Sequence, residues 1–174
     1  MSTHGELTAE IAQSLKYDEF DVLYYHDGAG DNVGEIVSTI KKEFQREDEL
    51  SQLDIAIVEK GSRIAIALIG IEDTDDSPRA ILGDIFGLLF GRHISFQGRE
   101  LKIGKYTILI VVGLSKGDNE KRNKYLLKRV KKVRAALGTK NSRIGKVIIK
   151  TYADEKDLSI GVPALVEKVV RGGV

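Results

Sequence analysis

The sequence has no cysteine, no tryptophan, one methionine and two prolines among its 174 residues. Without cysteine the chain forms no disulfide, binds no zinc through thiolates and performs no thiol catalysis. This composition fits the reducing cytoplasm. Long apolar runs are also missing, since none approaches the ~18 residues that span a bilayer. The first twenty residues lack the basic start and apolar core of a signal peptide. We therefore expect a cytoplasmic protein with no membrane partner.

Hydrophobic residues make up 42% of the chain and charged residues 30%, as is typical of globular proteins. A chain of this length is expected to fold as a single domain, 1–174, with a sizeable core. The abundance of Lys, Arg and Glu, together with one Met and no Cys, also suits a thermophile.

The net charge is only +1, but the charges are unevenly distributed. The segment from Lys116 to Lys150 contains 13 Lys or Arg and two acids, whereas the rest of the chain contains 14 basic and 24 acidic residues. Most of these cations fall on a predicted basic helix, 119–137. Such a face binds nucleic-acid phosphates without reading sequence, although basic helix faces are also found simply solvated. The residues predicted to contact nucleic acid here are Lys124, Lys128, Lys131 and Lys132.

Apolar periodicity and turn residues divide the chain into alternating elements. An antiparallel hairpin followed by β-α-β alternation predicts an α/β fold with a mixed central sheet flanked by helices on both faces. The segment 96–102 is left open between a strand and a loop. Helices are predicted over 6–16, 35–44, 78–94, 119–137 and 162–171, and strands over 20–25, 53–59, 62–72, 107–113 and 143–152.

The hairpin carries acids at unusual places. Asp54 begins its first strand and Glu72 ends its second. If the turn centres on Lys60-Gly61, Asp54 lies opposite residue 67 or 68, and alternation places position 70 and Glu72 on the same face. Clustered oxygen ligands are what hard divalent cations need. The plainer interpretation is a solvated strand-entry acid followed by a polar loop with Asp73, Asp75 and Asp76, which complements the dipole of the helix that begins at Ser77.

An acid-bearing hairpin between helices, with an apolar helix SPRAILGDIFGLLF and a TILIVV strand after it, resembles the PD-(D/E)XK nuclease superfamily. The chain is more closely similar to uncharacterised archaeal proteins placed there. The resemblance covers about residues 30–152 and implies a restriction-endonuclease-like αβββαβ core. It also implies Mg²⁺- or Mn²⁺-dependent hydrolysis of DNA phosphodiesters, often by a homodimer. By position, Asp54 matches the metal-binding Asp, Glu35 a helical Glu that supports metal or water, and Glu72 the variant with Glu in place of Lys.

Gly70 departs from that pattern, because the resemblance implies a second metal-binding acid there. Three readings stay open. The chain is an inactive form that binds nucleic acid without cutting it. Alternatively, Glu72 serves as a shifted second ligand where a glycine lets the strand bend. The third reading is that a bulge changes the register.

The loop HDGAGDNVG, 26–34, supports a rival function. Its pattern Gly28-x-Gly30-x-x-x-Gly34 is similar to a loosened nucleotide-binding or S-adenosylmethionine-binding loop, whose N–H groups meet a phosphate at a helix N-terminus. The same loop beside a nuclease site would place Tyr25 in a DNA channel, where its ring could stack on a base.

Overall fold

A computed structural model describes residues 3–26, 28, 30–43, 45–72, 77–114, 119–138 and 142–171. The acidic loop with Asp73, Asp75 and Asp76 lies outside the described residues. Within these ranges the chain forms four α-helices, eight strands and one 3₁₀ turn at Arg46–Asp48. The helices are α1 His4–Ser14, α2 Pro78–Phe90, α3 Asn119–Leu137 and α4 Glu155–Arg171. The strands are β1 Phe20–Tyr24, β2 Ile36–Thr39, β3 Glu49–Leu53, β4 Ile55–Glu59, β5 Ile64–Glu72, β6 His93–Phe96, β7 Arg99–Leu114 and β8 Ile144–Tyr152.

The strands form one open mixed sheet in the order β1-β4-β5-β7-β6-β2-β3, and β8 pairs with β7. The β5–β7 and β7–β8 pairs are parallel, whereas the other pairs are antiparallel. The predicted mixed α/β architecture is therefore confirmed. No helix in the described ranges has the length and apolarity needed to cross a membrane.

Helices cover both faces of the sheet, each over its own apolar core. On one face, α2 and α3 contribute Ile85 and Leu126 to a cluster with Leu68 and Val111. On the other face, α1 and α4 contribute Ile11 and Val162 to a second cluster. This burial on both sides explains why the predicted strand 107–113 is a continuous apolar run.

The predicted helix 35–44 is wrong, because Ile36–Thr39 forms strand β2. All four residues of β2 are buried, and the strand pairs with both β3 and β6. β-Branched side chains suit such a covered strand, and the helical spacing of the apolar residues here was coincidental. Strand β3 was not predicted, apart from its last residue, Leu53. The helix predicted over 78–94 ends at Phe90, and the residues after it form β6.

The C-terminal helix also begins earlier than the predicted residue 162. The Asp154 side chain accepts a hydrogen bond from the Asp157 N–H at 2.8 Å, which caps the first turn. The apolar stripe of α4 starts at Leu158, well before Pro163. The basic helix, in contrast, has its predicted bounds, and Gly138 follows it with a φ of 70°.

Helix α2 lies unusually close to β3. A Cβ at Gly87 would lie 2.3 Å from the Leu50 carbonyl oxygen, a distance that no side chain tolerates. Glycine is required at this contact because the helix meets strand backbone there. The close approach brings the helix face with Asp84, Ile85 and Leu88 next to the end of the hairpin.

Candidate functional site

The hairpin register differs from the predicted one. Four residues, Lys60–Arg63, connect the strands, and Arg63 has a φ of 56°. Ile55 faces Ile69, and the register shifts between Ile57 and Val58. Because the turn is longer than predicted and the register shifts, the residue opposite Asp54 on β5 is close to 70, where residue 67 or 68 was predicted. The Asp54 N–H donates to the Ile69 carbonyl at 3.1 Å.

This register brings the predicted acids together more closely than the sequence suggested. Asp54, Gly70 and Glu72 line one cavity of about 370 Å³. Its apolar wall includes Ile85 of α2 and Val111 of β7. The polar residues that line it are His4, Tyr25, Glu35, Gln52, Asp54, Glu72 and Asp84. All three predicted catalytic residues and the predicted stacking tyrosine thus lie around a single cavity.

Asp54 is held at both its backbone and its side chain. Its Oδ2 accepts a hydrogen bond from the Ile71 N–H at 2.6 Å, and its carbonyl accepts one from the Tyr25 N–H at 2.8 Å. Its Oδ1 lies 2.6 Å from His4 Nε2. The side chain is 16% exposed. A carboxylate fixed in this way is oriented before any ligand binds.

Glu72 occupies the space beside Gly70. Its Oε1 lies 3.6 Å from the position that a Cβ on residue 70 would take. The carboxylate therefore turns back along β5 toward the place where the resemblance expects an acid. Gly113 of β7 pairs with Glu72 of β5. A Cβ at position 113 would lie 3.0 Å from the Glu72 carbonyl oxygen. This arrangement favours the reading in which Glu72 replaces the missing acid at position 70.

Glu35 reaches the cavity from a different element than predicted. It precedes strand β2 and does not lie in the first turn of a helix. Its Oε1 accepts a hydrogen bond from Gln52 Nε2 at 3.1 Å, and its side chain is exposed. The prediction that Glu35 lies on a helix is therefore wrong, although the residue does line the cavity.

Sequence reasoning missed three polar residues of the cavity, which are His4, Gln52 and Asp84. His4 begins α1, where Thr3 and Glu6 form a capping box. Hydrogen bonds from Thr3 lower the pKa of Glu6. Nothing local to His4 signals its contact with a residue fifty positions away. Asp84 does have a local signal, since it is the single charged residue in the apolar stretch AILGDIFGLLFG. It accepts a hydrogen bond from Ser51 Oγ at 3.3 Å.

The carboxylate oxygens of this cavity are the type of ligand that Mg²⁺ and Mn²⁺ prefer. Within the described ranges, however, no group of three or more His, Cys, Asp or Glu side chains is arranged to hold a metal ion. Both oxygens of Asp54 are already engaged, by His4 and by a backbone N–H. Asp54 and Glu72 are the residues that would hold a cation, with Glu35 at the rim.

The glycine loop does not have the geometry of a nucleotide-binding loop. It leads into strand β2, so the helix N-terminus that such a loop needs is not formed. The N–H groups of Gly28, Val33 and Gly34 donate to carbonyls within residues 24–30. Gln97 Nε2 donates to the carbonyls of Gly30 and Val33 at 2.9 and 2.6 Å. The described part of the loop is thus hydrogen-bonded to the turn between β6 and β7.

The predicted nucleic-acid contacts are accessible. Tyr25 is 40% exposed at the cavity. The four lysines predicted on the basic helix are all exposed on α3, opposite its buried residues Leu126 and Val130. Their exposure leaves open both the phosphate-binding and the solvated interpretation.

The chain was compared with models of protein families, with curated proteins and with solved structures. No match was found in any of the three comparisons. Functional inference for this protein therefore depends on the cavity at the end of the β4–β5 hairpin and on the surface around it.

Proposed function

We propose that this protein is a metal-dependent phosphodiesterase that cleaves DNA. The observation that carries the proposal is that Asp54, just before β4, and Glu72, at the end of the neighbouring β5, line one cavity. A bound Mg²⁺ or Mn²⁺ would lower the pKa of a coordinated water and neutralise phosphate charge. The hairpin would supply its ligands.

The order of the elements supports this proposal. Helix α1 is followed by β1, β4 and β5, which are neighbours and antiparallel. Helix α2 then leads to β7, which is parallel to β5. If β2, β3 and β6 are insertions, this order would match the αβββαβ core that the resemblance implies. In that correspondence the core helix contributes His4 to the site, and Glu35 belongs to an insertion.

The side chains divide into distinct roles. Asp54 and Glu72 would bind the cation, and His4 would keep Asp54 in its orientation. Because Glu72 stands where a lysine is commonly expected, no lysine at that position can act as the general base. Glu35, which is exposed at the cavity, would accept a proton from the attacking water.

Phosphate contacts on α3 would supply most of the affinity for the substrate. The exposed Lys124, Lys128, Lys131 and Lys132 would contact the backbone, and Tyr25 would stack on a base beside the cavity. Binding should therefore weaken steeply as the salt concentration rises. Assembly of two copies for the two strands of a duplex stays a prediction.

The decisive experiment measures cleavage of labelled duplex, single-stranded and branched DNA with Mg²⁺ or Mn²⁺. The natural chain is compared with Asp54→Ala, Glu72→Gln and Gly70→Glu. Glu59→Gln is the matched control, because Glu59 lies at the other end of the same hairpin. We expect cleavage by the natural chain and by the control, and loss of cleavage in Asp54→Ala and Glu72→Gln. Cleavage that persists in Asp54→Ala would overturn the proposed site.

A non-catalytic nucleic-acid-binding domain is the second candidate. It is favoured by the lack of a three-residue metal group among the described side chains. In that case DNA binding would be salt-sensitive and independent of metal, and none of the variants would cut. Cleavage only by Gly70→Glu would instead identify an inactivated nuclease. Thermal stabilisation by a nucleotide or S-adenosylmethionine, with no DNA binding, would support a small-molecule enzyme that uses the loop 26–34.

A further inference from the structure

Helix α3 presents two different flanks on either side of its buried stripe. One flank faces β8, because Asn123 Nδ2 donates to Thr151 Oγ1 at 3.3 Å and Arg134 donates to the carbonyls of Ile144 and Gly145 at 2.9 Å. Arg122, Tyr125 and Arg129 lie on the other flank, across the buried stripe from Asn123 and Arg134.

This second flank begins next to the candidate site. Arg122 and Glu72 line the same narrow crevice, at the ends of β5 and β7. Glu72 also lines the cavity that contains Asp54. Arg122 is thus a cation of α3 in the crevice that Glu72 lines, whereas the lysines predicted from the sequence lie farther round the helix. Residues spaced by three and four positions on a helix share one side, so Tyr125 and Arg129 continue the row from Arg122.

Tyr125 is an exposed aromatic residue inside this basic row. It is 45% exposed, and the Arg129 guanidinium lies 5.3 Å from the centre of its ring. An exposed aromatic ring presents a flat π-face on which a nucleic-acid base can stack. A base that stacks here would contact the free area of the ring while the flanking cations hold the phosphates on either side.

Tyr25 lies at the cavity itself and is 40% exposed. One exposed tyrosine therefore lines the candidate cleavage site, and a second lies about one helical turn from Arg122 on α3. Bases that are paired and stacked within a duplex present no free face to a side chain. Both rings can be used only if the substrate has unpaired bases near the scissile phosphate.

We propose that Arg122, Tyr125 and Arg129 form a binding stripe for single-stranded nucleic acid, which leads the strand out of the carboxylate cavity along α3. This inference rests on the proposed function and narrows its substrate to DNA with a single-stranded segment. Arg122 contacts a phosphate near the scissile one, and Tyr125 stacks on an unpaired base.

The test measures binding of a fluorescein-labelled oligothymidine strand and of a matched duplex by anisotropy in EDTA. Cleavage of both is then measured with Mg²⁺ or Mn²⁺. Tyr125→Ala should weaken binding of the single strand by about five- to a hundredfold and leave duplex binding within about twofold. Tyr125→Phe should stay within about twofold of the natural chain, because the ring is retained. Arg122→Gln should lower the slope of log affinity against log salt by about 0.7 on the single strand.

Tyr106→Ala is the matched control. Tyr106 is 80% exposed and has the Lys105 amine 5.7 Å from its ring centre. It lies in β7 just before the part that pairs with β8, at the end of that pairing opposite to the candidate site. It should bind both DNAs as the natural chain does. A loss in Tyr106→Ala equal to that in Tyr125→Ala would show a non-specific effect and overturn the stripe.

The two proposals fail in different ways. Cleavage that depends on Asp54, with single-strand binding unchanged in Tyr125→Ala and Arg122→Gln, would overturn the stripe and leave the nuclease. Binding of the single strand that depends on Tyr125, without cleavage under any metal condition, would support the stripe and overturn the nuclease. No binding and no cleavage of any DNA would overturn both.

Discussion

The Nε2 atom of His4 lies 2.6 Å from Oδ1 of Asp54 and joins the first turn of α1 to the start of the β4–β5 hairpin. The His4 side chain is 34% exposed and that of Asp54 is 16% exposed. With Oδ2 held by the Ile71 N–H, the contact fixes the plane of the carboxylate. His4 therefore acts on the cavity by positioning Asp54.

Replacement of His4 should impair cleavage without unfolding the protein. A group that orients a metal-binding carboxylate commonly contributes 10- to 100-fold to affinity or activity, so we expect His4→Ala to lower the cleavage rate by about that factor. Cleavage rates over a range of Mg²⁺ concentrations would show whether the loss lies in metal affinity.

His93→Ala is the control for that experiment, because His93 Nδ1 lies 2.7 Å from Glu100 Oε1 on β6 and β7, outside the cavity. It should keep the natural rate. Equal rates for the natural chain and His4→Ala would remove His4 from the site.

A small side chain at position 70 should be tolerated. The added Cβ of Gly70→Ala would meet Glu72 Oε1 at 3.6 Å, an ordinary van der Waals contact, and the backbone there needs no positive φ. We expect Gly70→Ala to melt normally and to keep cleavage within about threefold, whereas Glu72→Gln should abolish cleavage because it removes the charge. If Glu72→Gln cleaved at the natural rate, Glu72 would not be the acid that serves in place of residue 70.

Two glycines of α2 should respond in opposite ways to alanine. Gly87→Ala would place a Cβ 2.3 Å from the Leu50 carbonyl oxygen and should lower the free energy of unfolding by about 1–3 kcal/mol through overpacking. Gly83→Ala meets no atom within 4 Å and should raise that free energy by up to about 1 kcal/mol through helix propensity. Denaturant unfolding curves measure both. Similar losses in both variants would contradict the close contact between α2 and β3.

Tyr17 should make stability depend on pH in the alkaline range. Burial, and secondarily the nearby Glu167 carboxylate, raises the pKa of Tyr17 from 10.0 to about 12. The native state therefore favours the neutral phenol. This contribution is fully present below about pH 10 and is lost as the pH rises through about 12.

The comparison is between the natural chain and Tyr17→Phe, by thermal unfolding at about pH 8 and about pH 11. The natural chain should lose stability relative to Tyr17→Phe on going to the higher pH. A difference between the two proteins that stays constant with pH would show that the phenol titrates normally.

The sequence by itself determined the elements whose signals are local. The apolar run 107–113 required a strand buried on both faces, Ser77-Pro78 began a helix, and the stripe of α3 with Gly138 fixed the basic helix. The alternation of the hairpin also placed Gly70 and Glu72 on one face. These features depend on side-chain period and on capping, which operate within a few residues.

The tertiary structure decided everything that depends on pairing between distant segments. It made Ile36–Thr39 a strand, because this segment forms hydrogen-bonded pairs with β3 at one edge and β6 at the other. It set the register that brings Asp54 toward residue 70, through a four-residue turn that the Lys60-Gly61 pair did not reveal. It also brought His4 to Asp54, since only the packing of α1 against the sheet places two residues fifty positions apart within hydrogen-bond distance.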